Sequence, residues 1–322
     1  MAIGLDIGHS AVKISAGGKH LLFPTAACPA ANLAVEEAAR SAASDTVRVN
    51  GQDYFVGQTA LIHTAGRLLD GLSDDWMEMP EHLALMVAGY QRGRAELELE
   101  SDPMLVMGLP SRLHAKQHQR LRELAVMHLS VPMDRIRVVP QPIGAFMALA
   151  LTQDGDAGTD RDITNEQWGV IDIGYYTTDF GLILGGIWSE AGARSIQGAN
   201  TVASALRERL NADHGTQIAL RTADEVLRSK SVKLYGKSID VTKHVAECCD
   251  AFARQIVEAA IQVFADGLPA LDGILIAGGG ADLVFPRLKG AFDHAVCAPL
   301  PRFSVADGLR RYGQLIQRTS QA

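Results

Sequence analysis

The chain has 322 residues, 47% of them hydrophobic and 21% charged, with a formal net charge of −7. That length is about two average domains, so two packed lobes are expected rather than one core. The acidic balance argues against tight DNA binding or contact with an anionic membrane by this chain alone, since each phosphate contact needs a lysine or arginine.

Residues 3–8 read as a buried strand ending in a turn, and residues 12–16 as its hairpin partner. Asn50-Gly51, set between residues 47–49 and 52–56, marks a second hairpin. Leu83, Met86, Val87 and Tyr90 stand at i, i+3, i+4 and i+7, the spacing of a helix face, with residues 96–100 as its frayed acidic end. An apolar strand at residues 104–109 stops at Pro110. The helix after it carries Leu121, Leu124, Ala125 and His128 on one face; its other face carries His114, Lys116, Arg120 and Arg122, either a solvated face or a partner surface. Residues 136–139 form a strand ended by Pro140. Polar residues 153–166 read as an exposed loop and a lobe boundary.

Then the opening pattern returns. Residues 169–174 are again a strand ending in Asp-x-Gly, and residues 177–184 its hairpin partner. Two copies of one unit, each at the head of a half, imply two lobes of like topology in the α/β class. Val245, Cys248, Cys249, Phe252, Ile256, Ala259, Ala260 and Val263 share one helix face, so these cysteines are expected to fill core. With Cys28 and Cys297 they form no C-x-x-C pair, which speaks against a zinc or iron–sulfur site. An apolar stretch, residues 268–276, leads into Gly278-Gly279-Gly280, and a helix follows through Leu283, Leu288 and Phe292. No secretory signal pattern opens the chain, and no apolar run reaches the roughly 18 residues of a membrane span, so a cytoplasmic location without membrane contact is expected.

The chemistry concentrates in these turns. Gly8 lets the backbone approach a phosphate, Ser10 adds a hydroxyl donor, Lys13 a positive charge, and Asp6 a carboxylate able to hold a water on bound Mg²⁺. Asp172, Gly174, Thr177, Thr178 and Asp179 repeat the device. Either pair of turns is an ordinary β-turn, or the two clamp a nucleotide's phosphates from both sides of a cleft. The triple glycine, between a strand and a helix, suits a nucleoside or phosphate pressed on backbone at a helix N-terminus. Gln141, between Pro140 and Pro142 at a strand-to-helix junction, is either a helix cap or a side chain that orients an attacking water.

Together these segments resemble the actin/Hsp70/sugar-kinase superfamily. Residues 6–10 are similar to its first phosphate motif, 141–145 to its first connecting helix, and 172–179 to its second phosphate motif. Residues 276–281 resemble its adenosine motif and 304–308 its second connecting helix. Length, the hairpin at 49–55, Leu109-Pro110 and Asp307-Gly308 bring the likeness nearest the plasmid-segregation actins of the ParM/StbA family. Two departures stand out. Gln141 occupies a position where the best-known plasmid actin has Glu, although eukaryotic actin has Gln, and Tyr175-Tyr176 replaces the usual small residues.

The resemblance implies a two-lobed α/β fold, each lobe ribonuclease-H-like, with nucleotide in the cleft. Lobe I would span 1–153 and 302–322, with a small insertion at about 25–95, and lobe II would span 154–301. It implies a filament-forming ATPase that takes ATP or GTP with Mg²⁺, polymerises with itself, and moves plasmid DNA through a DNA-binding adaptor. In this assignment Gln141, Asp6 and Asp172 are catalytic, and the two aspartates meet the metal mostly through water. Gly8, His9, Ser10, Lys13, Gly174, Tyr175, Tyr176, Thr177, Thr178, Gly278, Gly279, Gly280 and Ala281 bind nucleotide. The alternatives are a small-molecule kinase of the same superfamily, which would need a substrate-activating carboxylate, and a cell-shape or division actin. The latter usually carries a terminal amphipathic helix, for which residues 312–318 are too short.

Overall fold

In the computed structural model, which describes residues 1–64, 75–97, 103–158, 162–163 and 165–319, β1 (Ala2–Ile7) is buried along its whole length. β2 (Ala11–Ala16) and β3 (Lys19–Pro24) extend it as an antiparallel meander, pairing Leu5 with Ile14 and Asp6 with Lys13. The chain then leaves this sheet for β4 (Ala27–Pro29), α1 (Glu36–Ala43), β5 (Thr46–Val49), β6 (Gln52–Val56) and α2 (Gly57–His63). Those strands make a separate sheet in the order β4-β6-β5. Its hairpin turns at Asn50 (φ 50°) and Gly51 (φ 80°), two successive left-handed residues, which is why Asn-Gly serves there. α3 (Pro80–Ala95) is buried on nearly every side, from His82 through Tyr90, a wider burial than its four periodic residues imply.

β7 (Met104–Leu109), α4 (Ser111–Leu129), β8 (Ile136–Pro140) and α5 (Gln141–Ala150) follow. β7 lies parallel to β1 and β8 parallel to β7, giving the order β3-β2-β1-β7-β8. Ile3, Leu5, Val12, Ile14, Leu85, Met86, Leu105, Met107 and Ile136 form the core against this sheet. On α4, Leu121, Leu124 and Ala125 are buried, while Arg120 pairs with Glu78 at 2.8 Å and Lys116 is exposed, as on a solvated face. The acidic end expected after α3 lies in part outside the described residues, at 98–100.

The second sheet repeats the first. β9 (Gln167–Ile173), β10 (Thr177–Leu184) and β11 (Ile187–Gln197) form the meander. α6 (Asn200–His214), α7 (Leu220–Ser229), β12 (Ser231–Leu234), β13 (Lys237–Asp240) and α8 (Thr242–Phe264) come next, then β14 (Gly273–Ala277), α9 (Ala281–Ala291) and β15 (Ala295–Cys297). The order is β11-β10-β9-β14-β15, again three antiparallel strands followed by two parallel ones. Cys248 and Cys249 are buried on the α8 core face with Phe252, Ile256 and Ala260, as their spacing predicts. Among the described residues no helix is long and apolar enough to cross a membrane.

The last helix, α10 (Ser304–Thr319), returns to the first sheet. The chain thus forms two units, Met1–Ile163 with Ala298–Ala322, and Thr164–Cys297. The first runs past the boundary expected at residue 153 because α10 holds the next segment. Arg310 donates to the Gln153 carbonyl at 2.8 Å, and Arg318 pairs with Asp156.

Three glycines let α10 come this close. A Cβ on Gly308 would fall on the Gly144 carbonyl oxygen and 2.6 Å from the Ala148 nitrogen; one on Gly4 would fall on the Ala306 carbonyl oxygen. A Cβ on Gly144 would lie 2.9 Å from the Val305 carbonyl oxygen. The helix also carries a buried ionic cluster. Asp307 accepts from Ser15 Oγ at 3.1 Å, Arg310 at 2.9 Å and Arg311 at 2.5 Å. Burial works against this carboxylate, but the Arg311 and Arg310 guanidiniums outweigh it and hold its pKa below the usual carboxylate value.

Three variants make this testable in stability. Gly308→Ala should lower unfolding free energy in urea by about 2–3 kcal/mol or more, because backbone cannot yield to the methyl group. Gly290→Ala, at an exposed helical position with nothing within 4 Å of the added carbon, should instead raise it by up to about 1 kcal/mol. Asp307, with a folded pKa below its unfolded value of about 3.9, contributes stability that is complete above that pH and is lost as pH falls through the folded pKa. Asp307→Asn should therefore be clearly destabilised at pH ~7, and the gap to the parent should shrink at pH ~3; a gap that stays constant would contradict this role.

Candidate functional site

In the first unit the turn between β1 and β2 holds Gly8, His9 and Ser10, all half-buried. Asp6 ends the strand beneath it at 1% exposure. An isolated carboxylate there would be strongly disfavoured. Both of its oxygens are engaged: Oδ2 by Lys13 Nζ at 2.7 Å and Oδ1 by Gln141 Nε2 at 2.8 Å. The first contact follows from cross-strand register, since Asp6 sits opposite Lys13. The second spans 135 residues and comes from α5, whose first residue is Gln141. Gly108 makes room for it, as a Cβ there would stand 3.0 Å from Gln141 Cγ. Thr25 braces the turn by donating its hydroxyl to the Gly8 carbonyl.

In the second unit Asp172 takes the place of Asp6, and it too is buried, at 7% exposure. Opposite it in register stands Asp179, where the first unit has Lys13. The repeat of backbone thus carries an inversion of charge. Hydroxyls compensate Asp179: Thr177 Oγ1 donates to it at 2.7 Å and Ser195 Oγ at 2.5 Å. Thr178 is fully buried and donates to the Gln197 carbonyl at 3.2 Å, so its side chain belongs to the core and sheet rather than to the turn.

The turn itself, Gly174 to Thr177, closes with the Gly174 amide on the Thr177 carbonyl at 2.8 Å. The amides of Gly198, Ala199 and Asn200 donate to Tyr176, Gly174 and Tyr175, which ties the turn to the start of α6. Only glycine fits at 198, where a Cβ would lie 2.6 Å from both the Thr177 nitrogen and the Tyr175 carbonyl oxygen. Tyr175 and Tyr176 meet edge to face at 5.0 Å. Burial, reinforced by Asp224 and Tyr176, pushes the Tyr175 hydroxyl up to about 12, so at neutral pH it is a neutral donor.

The glycine run packs on this same strand end. Gly278, at φ 87°, would place a Cβ 2.5 Å from Asp172 Oδ1, and the Gly280 amide donates to the Ile173 carbonyl at 2.9 Å. Ala281 then opens α9. Within the second unit, therefore, Asp172, Gly174 and Gly278–Gly280 are neighbours, although a hundred residues of sequence lie between the two motifs, give or take a few. Within the first, Asp6, Lys13, Gln141 and the Gly8–Ser10 turn converge. Sequence reasoning missed the Asp6–Gln141 bond and the bracing by Thr25, Ser195 and Gly198; only Gln141's place between two prolines hinted at the first.

Among the described residues, no group of three or more His, Cys, Asp and Glu side chains could hold a metal ion directly. A single carboxylate at a strand end, as each unit has, fits instead a cation that keeps most of its waters and takes its other ligands from phosphate.

Two family models match the chain without overlap. One, described as the N-terminal domain of actin-like proteins, covers residues 4–144; the other, the C-terminal domain of the archaeal MreB-like actin homologue, covers 170–290. No curated protein matches by sequence. Solved structures do match in fold. A ParM from Clostridium botulinum, in the structure of a 15-stranded filament, is 17% identical with a TM-score of 0.75 over 97% of this chain and 98% of that one. Ta0583, an archaeal actin homologue, is 19% identical with a TM-score of 0.75 over 100% and 99%. The same protein solved in complex with ADP is 18% identical at 0.71, over 100% and 99%.

Proposed function

Since the chain belongs to the actin-like superfamily, we propose that it is a filament-forming ATPase that moves plasmid DNA through a DNA-binding adaptor. The observation that carries the ATPase reading is the buried Asp6–Gln141 bond at 2.8 Å beside a glycine turn and a lysine. A neutral amide cannot act as general base. Its Nε2 is committed to Asp6, which leaves Oε1 to accept a hydrogen bond from water and aim it at the terminal phosphorus. Asp6 here is a positioning group as much as a ligand, because it fixes the plane of that amide.

The turns at Gly8–Ser10 and Gly174–Thr177 would bind phosphate oxygens of ATP or GTP through backbone amides and the Ser10 and Thr177 hydroxyls. Lys13 has three donors and can hold Asp6 while meeting a phosphate. Mg²⁺, arriving with the nucleotide, would be met through water by Asp6 and Asp172 and would offset phosphate charge. Gly278, Gly279, Gly280 and Ala281 would take the nucleoside side, at the start of α9. Self-association into filaments is supported by likeness to a ParM whose structure is that of a filament. The adaptor rests on the sequence resemblance and on the net charge of −7, which suits DNA contact through a second protein rather than directly. A cytoplasmic site of action accords with both.

Electron microscopy of the purified protein with ATP and Mg²⁺ should show filaments, and none without nucleotide; no polymer under either condition would refute the assembly reading. Asp172→Ala should keep its circular dichroism spectrum and lose hydrolysis about a hundredfold or more, the scale of a lost preorganised charge. Gln141→Ala should bind nucleotide and polymerise normally but release phosphate slowly, giving longer-lived filaments by light scattering. Parent-like phosphate release in either variant would remove the hydrolytic assignment. In gel shifts near physiological salt, duplex DNA alone should not be bound at micromolar protein; binding there would replace the adaptor with direct coating of DNA.

A further inference from the structure

His9, the central residue of the first turn, lies flat on Trp76, with ring centroids 4.7 Å apart and planes 17° from parallel. Trp76 belongs to a short 3-10 turn, Trp76–Glu78, immediately before α3, and is 8% exposed. His82 meets it edge-on, at 4.5 Å and 73°. His82 is 3% exposed in the first turns of α3. Burial, then the proximity of His9, lowers its pKa to about 3, so at neutral pH it is an uncharged ring. Three rings thus run from the interior of the unit out to the glycine turn, and the innermost is fixed by the packing of a buried helix.

The hydrolytic chemistry above makes no use of an indole. Nor does the turn need one to close, since Thr25 and the strand pairing already hold it. What the stack does is restrict His9. A half-buried imidazole whose ring plane is set before a ligand arrives costs less conformational entropy to order on binding. An imidazole in either protonation state keeps at least one ring N–H donor.

We propose that Trp76 is a positioning residue for the nucleotide's phosphates: by holding the His9 ring plane, it presents a ring N–H to phosphate oxygens bound at the Gly8–Ser10 turn. This role rests on the nucleotide reading given above. It assigns a phosphate-affinity function to the 3-10 turn ahead of α3, a segment that carries no nucleotide motif.

The test is a double-mutant cycle on the full chain, with ADP, ATP and adenosine titrated calorimetrically. Trp76→Ala should weaken ADP and ATP about three- to tenfold, the equivalent of one aromatic stack, and leave adenosine unchanged. Trp76→Phe should restore most of that loss, because it keeps a ring face. Trp76→Leu, which keeps apolar volume without a face, should behave as Trp76→Ala and serves if the alanine variant fails to fold. In a His9→Ala background, Trp76→Ala should add nothing. In turnover, KM should rise while kcat stays near the parent value. An equal loss with and without His9, an equal loss for adenosine, or unchanged affinity in Trp76→Leu would each overturn the proposal. A parent chain that binds neither ADP nor ATP would instead bring down the nucleotide reading, a result distinct from normal binding by parent and Trp76 variants alike, which removes only the positioning role.

Discussion

The close approach of α10 to β1 and α5 is the constraint on which the first unit rests. It is made by absence: Gly4, Gly144 and Gly308 each lack the one carbon that would collide with backbone. Such contacts are unforgiving, because a carbonyl in a strand or helix cannot rotate aside as a side chain can. From this seat α10 fixes Asp307 over Ser15 and Arg310 over Gln153, and it fixes α5 on the sheet. With α5 in place, its first residue, Gln141, is delivered to Asp6. Helix packing and candidate chemistry are therefore one arrangement, joined through four glycines once Gly108 is counted.

The two units solve the same electrostatic problem differently. Each ends its central strand in a buried aspartate, and each places a second charged residue opposite it in register. In the first unit that residue is Lys13, so the pair is neutral and further stabilised by an amide donor. In the second it is Asp179, and two like charges share a face, which is unfavourable unless donors offset them. Thr177 and Ser195 supply those donors. Fold repetition constrains the backbone and leaves the polarity of each half to the side chains.

Much of this was legible because local rules governed it. Asn50-Gly51 announced a hairpin, the Asp-x-Gly segments announced strand-to-turn junctions, and the spacing around Cys248 announced a buried helix face. The duplicated topology followed from the duplicated motif. What escaped was held by partners far away in sequence. Ser15 and Asp307 bond across 292 residues, and nothing in the neighbourhood of either suggests it. Thr178 was expected, with Thr177, to offer phosphate a hydroxyl, but in a strand neighbours point to opposite faces, and its face is the core. Residues 153–156 read as a boundary from their polarity, though α10 binds them. The α6, α7 and β12–β13 stretch offered no motif, and its short strands lack the length for a clear alternation. His82 carries no signal in the sequence; only its burial and ring contacts single it out.

The path of the chain has a consequence for how the molecule is made. The second unit is one uninterrupted stretch, whereas the first is completed only by residues 298–322. During synthesis the strands of the first sheet leave the ribosome early, yet the helix whose Val305, Ala306 and Leu309 cover them follows only after the whole second unit. Until then an apolar sheet face stays open, the condition under which nascent chains engage chaperones or one another. Residues 298–322 must be made before the Asp6 and Gln141 pair has its support. A chain broken off within the second unit would carry Asp6, Gly8 and Gln141 and still lack the helix against which β1 and α5 pack.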